Sequence, residues 1–445
     1  MTPALQNTKT SIVIVGSGFV GFGCARRLAR RLRKLKGANI ELTVVSAVDY
    51  MLYTPLLADV VGGLADARAA MIPLAGMLDG VRQIRGHVDG VDFEERTICY
   101  TDLEQRRCAL SWDRLVLAPG SVSRLFDIPG LATYARGFKT TAEVLYLRDH
   151  LLEQLELANL EHDPNAAQAR RTIVVVGASA TGTVLATTVR AVADAAAHQL
   201  GFDPAEVKIL LLDIAKKVMP ELGDKLSAAA TQVLESRGIE LRLGTTLKEV
   251  DADHVVLSDG ARVGAHTVVW VAGVTAAPLI QQLGLPTERG RLTVQADLEV
   301  PGHSDVFAAG DAAAVPDLTQ PGNIAAPTAQ HATRQAKVLA DNVLASLGYG
   351  TKKNYEHHDM GMVSDLGPGQ AVANPFNIHL TGRPAKLITR VQRLSSIPRN
   401  FNRLQAAFAY TAGAAFPRTL VSLGLSSQNN AEFSTSEGIP LPKPS

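Results

Sequence analysis

A chain of 445 residues holds two to three domains' worth of material, and 46% hydrophobic against 20% charged residues lets most of it bury a core. The 44 basic and 43 acidic residues leave a formal net charge of +1, which excludes a globally basic nucleic-acid binder. No apolar run is long enough for a membrane span, the polar start does not read as a signal peptide, and three cysteines without CxxC spacing argue against disulfides or zinc.

The elements read in order as alternating strands and helices. Ser11–Val15 is a strand, Gly16-Ser17-Gly18-Phe19-Val20-Gly21 a turn, and the following residues a helix to about Lys36, stopped by Gly37. Cys24 on that helix reads as a small buried hydrophobe, and the basic run Arg26–Lys36 as a solvated face. A strand over Ile40–Val45 ends at Ser46. Leu115–Ala118 is a short strand, Glu143–Leu160 a helix, and Glu161–Arg171 a polar loop. A second strand–turn–helix unit follows: Thr172–Val176, then Gly177-Ala178-Ser179-Ala180-Thr181-Gly182, then a helix to about Leu200. Its partner strand Lys208–Leu212 ends at Asp213, and Thr267–Ala272 and Val306–Ala309 are further strands. Such alternation implies parallel sheets covered on both faces.

The two turns carry the chemistry. In GxGxxG, Gly16 permits the tight turn, Gly18 lets the backbone approach a pyrophosphate, and Gly21 lets the helix lie against the strand. Phosphates then meet free N–H groups at the positive end of the helix. Ser46 stands where an acid would hold ribose hydroxyls. In the second turn Gly177, Thr181 and Gly182 keep the pattern, while Ser179 replaces the central glycine. Asp213 is placed to hold the 2′-hydroxyl of NADH, although Lys216 and Lys217 leave room for NADPH. Two dinucleotides facing each other, one flavin and one nicotinamide, allow direct hydride transfer.

From about Ser11 to Leu425 the chain resembles the type II NADH dehydrogenases, the non-proton-pumping NADH:quinone oxidoreductases. The resemblance rests on Gly16–Gly21, Tyr53-Thr54-Pro55-Leu56-Leu57, Leu117-Ala118-Pro119-Gly120-Ser121, Trp270-Val271-Ala272-Gly273-Val274, Phe307-Ala308-Ala309-Gly310-Asp311, and Pro327-Thr328-Ala329-Gln330-His331-Ala332-Thr333-Arg334-Gln335. It implies two doubly wound, Rossmann-type α/β domains. The FAD domain (residues 1–145 and 291–360) is interrupted by an NAD(P)H domain (146–290). A C-terminal amphipathic helical module (361–430) and a disordered tail (431–445) follow. It also implies FAD beside Ala118, Gly120, Gly273, Gly310, Thr328 and Ala329, with Asp311 on the ribityl chain, NADH as donor, and a quinone reduced near Gln330 and Gln335. Val184 stands where the family carries a Glu between nicotinamide, flavin and quinone, so quinone reduction is expected to be slow. Pro119, Ser46 and Ser179 are further departures. No cysteine occurs between Asn39 and Met71 or after Cys108, so electrons leave the flavin directly.

Two further stretches are open to more than one reading. His357-His358-Asp359 reads as a polar loop rather than a metal site. Between Leu366 and Ala431 there is no acid but there are seven basic residues: Arg383, Lys386, Arg390, Arg393, Arg399, Arg403 and Arg418. Leu387, Ile388, Val391 and Leu394 share a helical face up to Pro398, and Phe401, Leu404 and Phe408 begin a second helix. Through residues 383–420 the protein is expected to lie on an anionic membrane surface at the cytoplasmic face, basic groups at the headgroups. A homodimer interface is the alternative. The rival functions are a soluble reductase serving a protein or secondary-metabolite acceptor, and an FAD-binding protein without turnover.

Overall fold

Runs of Val, Ile and Leu in the predicted strands are buried on both faces, as parallel strands covered by helices must be. The computed structural model describes residues 9–35, 37–358, 361–415, 420–425, 427–434 and 441, so Arg418 and most of the expected tail lie outside the described residues. Strand β1 (Thr10–Val15) leads into helix α1 (Phe19–Leu32), followed by β2 (Ile40–Ser46), α2 (Leu57–Val61), β3 (Arg82–Asp92), β4 (Thr97–Asp102), β5 (Arg107–Ser111) and β6 (Arg114–Leu117). Helix α3 (Thr141–Leu160) opens a second unit of β7 (Thr172–Val176), α4 (Ala180–Leu200), β8 (Lys208–Asp213), α5 (Gly223–Ser236), β9 (Ile239–Leu243) and β10 (Thr267–Trp270). The chain returns through β11 (Glu299–Val300), β12 (His303–Ala308) and α6 (Ala329–Ala345). It closes on β13 (Val363–Asp365), β14 (Ala371–Ala373), β15 (Leu380–Thr381), α7 (Gly382–Ser396) and α8 (Asn400–Ala415).

The first sheet has the order β11-β12-β6-β1-β2-β3-β4-β5, parallel from β12 to β3. The second, β9-β8-β7-β10, is parallel throughout. The order reverses at β1 in one sheet and at β7 in the other, and ligands of doubly wound sheets bind outside the strand ends at such points. The antiparallel meander β3–β5 extends the first sheet beyond what the sequence pattern announces. Residues 164–170, expected as loop, form a short helix (Pro164–Arg170). Asp163 caps it by accepting from the Asn165 N–H at 3.1 Å, and Pro164 supplies a preset first turn.

Helix α6 crosses α1 at very short range. A Cβ added to Gly23 would lie 2.9 Å from that of Ala336, and Arg27 clamps Asp341 through two bonds of 2.9 and 2.7 Å. Helix α3 starts on a capping box: the Glu143 N–H donates to Thr140 Oγ1 at 3.2 Å, and the Thr140 N–H to Glu143 Oε2 at 2.8 Å. On the same helix His150 Nε2 sits 3.1 Å from Thr267 Oγ1 and 3.2 Å from the His266 carbonyl, joining α3 to the edge of the second sheet.

The C-terminal helices are amphipathic as predicted, but two of their cations turn inward. Leu387, Val391, Phe401, Leu404 and Phe408 are each 57–74% exposed. Lys386 and Arg393 turn inward: Lys386 pairs with Asp365, and Arg393 Nη1 lies 3.4 Å from both Asp59 on α2 and Asp365. Tyr410 donates to Asp59 at 2.9 Å, and Arg390 stacks on the Tyr410 ring at 5.2 Å. Lys386 and Arg393 are therefore taken from the expected headgroup stripe, because two carboxylates from distant segments wait on that side.

Burial holds the His150 imidazole neutral, lowering its pKa from 6.5 to about 4. Neutrality kept only by the folded state adds stability above pH 6.5 that is lost as pH falls from 6.5 towards 4. At roughly 1.4 kcal/mol per unit the whole window is worth about 3 kcal/mol. Urea unfolding of wild type and His150→Gln at pH 7 and near pH 4 should show the variant losing less of its own stability on acidification. Arg393→Ala leaves Asp59 without its cation and Asp365 with Lys386 alone, and should cost about 3–5 kcal/mol. The loss should ease at acid pH, where both carboxylates can be protonated, as limited proteolysis of residues 361–415 would report.

Candidate functional site: two adjoining cavities

Both glycine turns are built by exclusion of Cβ. Gly16 has φ +95°, and an added Cβ would lie 2.3 Å from the Ala118 carbonyl oxygen. At Gly21 it would meet the Gly16 oxygen at 1.9 Å, so α1 lies directly on the end of β1. Gly18, with φ −66°, has nothing within 4 Å of that position and opens on a cleft of about 1570 Å³. The second turn repeats this geometry: Gly177 has φ +114°, and a Cβ on Gly182 would be 1.7 Å from the Gly177 oxygen. Ser179 takes the place of Gly18 with φ −67°, an ordinary conformation, which is why a side chain is tolerated there. Thr181 and Asp213 line the same cleft, the carboxylate of Asp213 accepting the N–H groups of Ala178 and Ala215 at 2.5 and 2.7 Å. Lys217 is drawn away by Asp224 at 2.7 Å.

The remaining expected cofactor residues sort by whether they reach the cleft. Phe19, Val20, Ala118, Gly120, Gly273, Asp311, Thr328 and Ala329 do, whereas Gly310 is packed against Val20. Ser46 does not: it is 2% exposed and holds Ser17 Oγ at 2.8 Å, and Ser17 is the residue on the cleft wall. Asp311 is clasped by Ser121 at 2.5 Å, and Ser121 by the ammonium of Lys139 at 2.5 Å. Burial lowers the pKa of Lys139, with Asp311 and Glu143 opposing. Lys139 was not anticipated; its signal was its place directly before the Thr140–Glu143 capping box.

A second cavity of about 1390 Å³ adjoins the first. Thr54, Phe138, Thr181, Ala329, Gln330 and Met362 are among the residues lining both. Val184 lies on the second alone, and Leu387 and Val391 of α7 reach its outer part beside Arg26, Arg30 and Arg31 of α1. The basic face of α1, expected to be merely solvated, thus borders a cavity. Gln330 is positioned by donating to the Gly361 carbonyl at 3.1 Å. Gln335 corrects expectation: it is 1% exposed, reaches neither cavity, and accepts the Gly310 N–H at 2.7 Å. One helical turn beyond Gln330 it shapes the Gly-Asp turn and lines no acceptor site. His357 and His358 line the first cavity, and none of the three cysteines lines either.

A sequence profile of the pyridine nucleotide-disulphide oxidoreductases matches residues 10–336. The type II NADH:quinone oxidoreductase NdhA of Mycobacterium tuberculosis is 30% identical over 425 residues, covering 92% of this chain and 88% of the relative. The demethylphylloquinone reductase NdbB of Synechocystis is 28% identical over 403 residues, covering 88% and 94%. Among solved structures, NDH2 from Plasmodium falciparum in complex with NADH superposes with a TM-score of 0.85 at 18% identity, covering 93% of this chain and 100% of that one. With two glycine turns on one cleft and an adjoining cavity beside Gln330, the chain belongs to the pyridine nucleotide-disulphide oxidoreductase family and, within it, to the type II NADH:quinone oxidoreductases.

Proposed function

We propose that this chain oxidises NADH and reduces a quinone, with FAD as its resident redox group. The observation that carries the reading is the shared wall: both dinucleotide turns open on one cleft, and a separate cavity meets that cleft at Gln330 and Phe138. The residues present fit both dinucleotides. Gly18 and Gly120 leave open space where a Cβ would obstruct a ligand, and Asp311 offers a carboxylate on the cleft wall. Bound there, a flavin supplies a two-electron carrier between nicotinamide and quinone.

The chain itself binds, orients and keeps water out. Helices α1 and α4 would offer the N–H groups of their first turns to the two pyrophosphates. Thr328 caps α6, its Oγ1 accepting the His331 N–H at 3.3 Å, and so aims that helix end at the cleft. Phe19 and Tyr53, 5.9 Å apart, with Phe138 make a dry wall between the cavities. Asp213 favours NADH, since a 2′-phosphate would be repelled. Val184 offers the acceptor side an aliphatic surface that cannot exchange a proton.

No described helix is long and apolar enough to cross a membrane. The exposed apolar face of α7 and α8 supports a peripheral seat in a bilayer, with the cationic face of α1 over the headgroups. Such a seat would open the second cavity towards the lipid, where a quinone dissolves.

Anaerobic NADH should bleach the yellow protein, and a quinone should restore its colour. A wild type that cannot be loaded with FAD overturns this reading. Asp311→Ala should bind FAD about 10- to 150-fold more weakly, the equivalent of about 1.5–3 kcal/mol for one charge-assisted bond. Sedimentation with anionic vesicles should fall steeply in a Leu404→Asp, Phe408→Asp double variant, each exposed side chain contributing about 1.5–3 kcal/mol. High salt should remove only the smaller share due to Arg30 and Arg31.

A further inference from the structure

Reduction of a quinone by NADH takes one proton from the medium, because hydride brings two electrons and one proton while the quinol carries two protons. Yet among the described residues none that lines both cavities has an ionisable side chain, and Val184 adds none on the acceptor side. Lys139 lines the first cavity but is half-buried and tied to Ser121, which in turn holds Asp311.

One residue beyond Gln330, His331 lines the first cavity and is 8% exposed. Its Nδ1 lies 2.9 Å from the hydroxyl of Tyr355, and that hydroxyl lies 3.3 Å from Nδ1 of His357. The two imidazoles stack with centroids 4.0 Å apart. Tyr355 is buried, His357 half-buried and His358 exposed, so the path runs from the more exposed His357, itself at the first cavity, through a buried phenol to the buried His331 beside Gln330. The hydroxyl bridges the two imidazole Nδ1 atoms, and either nitrogen can accept from it.

Arg334 Nη1 donates to His357 Nδ1 at 3.2 Å and also to the His358 carbonyl. A guanidinium only donates, so this nitrogen of His357 carries a lone pair at rest. Among the described residues, the charged and titratable groups facing the rings include Arg334 on α6, Asp317 on the loop before it, and His358. Asp317 is held low chiefly by the Thr319 hydroxyl. Burial pushes the Tyr355 phenol up to about 12, so it stays protonated and can donate and accept at once.

We propose that His357, Tyr355 and His331 form a proton relay that ends on the wall of the first cavity, one residue from Gln330 where the two cavities meet. His357 takes a proton at Nδ1, which turns from acceptor to donor; Arg334 lets go there and keeps the His358 carbonyl. Tyr355 gives its own proton to His331 as it receives that of His357, and His331 releases one to the cavity. No electron moves in these steps, and every proton entering at His357 is matched by one leaving at His331. This relay rests on the function proposed above and supplies what Val184 cannot.

Tyr355→Phe keeps the ring and removes the bridge. With FAD bound, the variant should retain its flavin, melting temperature and rate of reduction by NADH. Reoxidation by a short-chain ubiquinone analogue should slow by about tenfold or more, and its profile between about pH 5.5 and 8.5 should change. In histidine-15N-labelled protein, with or without FAD, the His331 and His357 imidazoles should titrate as a coupled pair in wild type and independently in Tyr355→Phe. His357→Gln, closer to the surface, should slow reoxidation in the same way should Tyr355→Phe unfold. Unchanged reoxidation across that pH range, or independent titration in wild type, overturns the relay. A wild-type flavin that NADH does not reduce overturns instead the function on which it rests, while the titrations still decide whether the rings are coupled.

Discussion

Gly21 and Gly182 sit where one methyl group would overlap the carbonyl oxygen of the glycine ending the preceding strand, at 1.9 and 1.7 Å. That steric limit seats each helix on its strand, and the seating aims the helix N-terminus at the cleft. Everything else in the site is referred to these two placements. Residues 179 and 18 may differ because their backbone is ordinary and the space beyond is open. Residues 16 and 177 may not, because positive φ and close approach coincide there.

A second constraint is electrostatic. Asp59 is buried on α2, and desolvation pushes its carboxyl upward while Arg393 opposes. Once such an acid is committed to the interior, a cation must come to it, and the helix that brings Arg393 and Lys386 inward has its aliphatic residues left outside. The exposed apolar plate is thus a consequence of where the charges are satisfied. Tyr53, whose hydroxyl donates to the Arg393 carbonyl at 3.0 Å, ties the same helix to the dry wall between the cavities.

The glycine turns, Asp213 and Asp311 were legible in sequence because covalent geometry leaves few residue choices at those positions. Ser46 and Gln335 were expected in the site but stand behind it, each touching a neighbour, Ser17 or Gly310, that only the fold brings to it. Periodicity identified the faces of α7 and α8, but not which face is inside; that is decided by Asp59, more than 300 residues earlier in the chain. His331 and His357 stand on different elements, and no local pattern joins an imidazole on a helix to one on a later loop. The short helix after Asp163 was written in its Asp-Pro start, which the polar composition around it obscured.

The interleaving of the two sheets bears on how the chain comes off the ribosome. Strands β7 to β10 form one uninterrupted stretch and can close their sheet as soon as they have emerged. The first sheet cannot: β6 waits for β12, almost 200 residues later, and until then presents Leu115, Val116 and Leu117 along an uncovered edge. The earliest-made part of the protein is therefore among the last to be completed. A nascent chain halted before His303 would hold a finished second sheet beside a first sheet with an open, apolar strand edge, a species suited to chaperones and prone to aggregation.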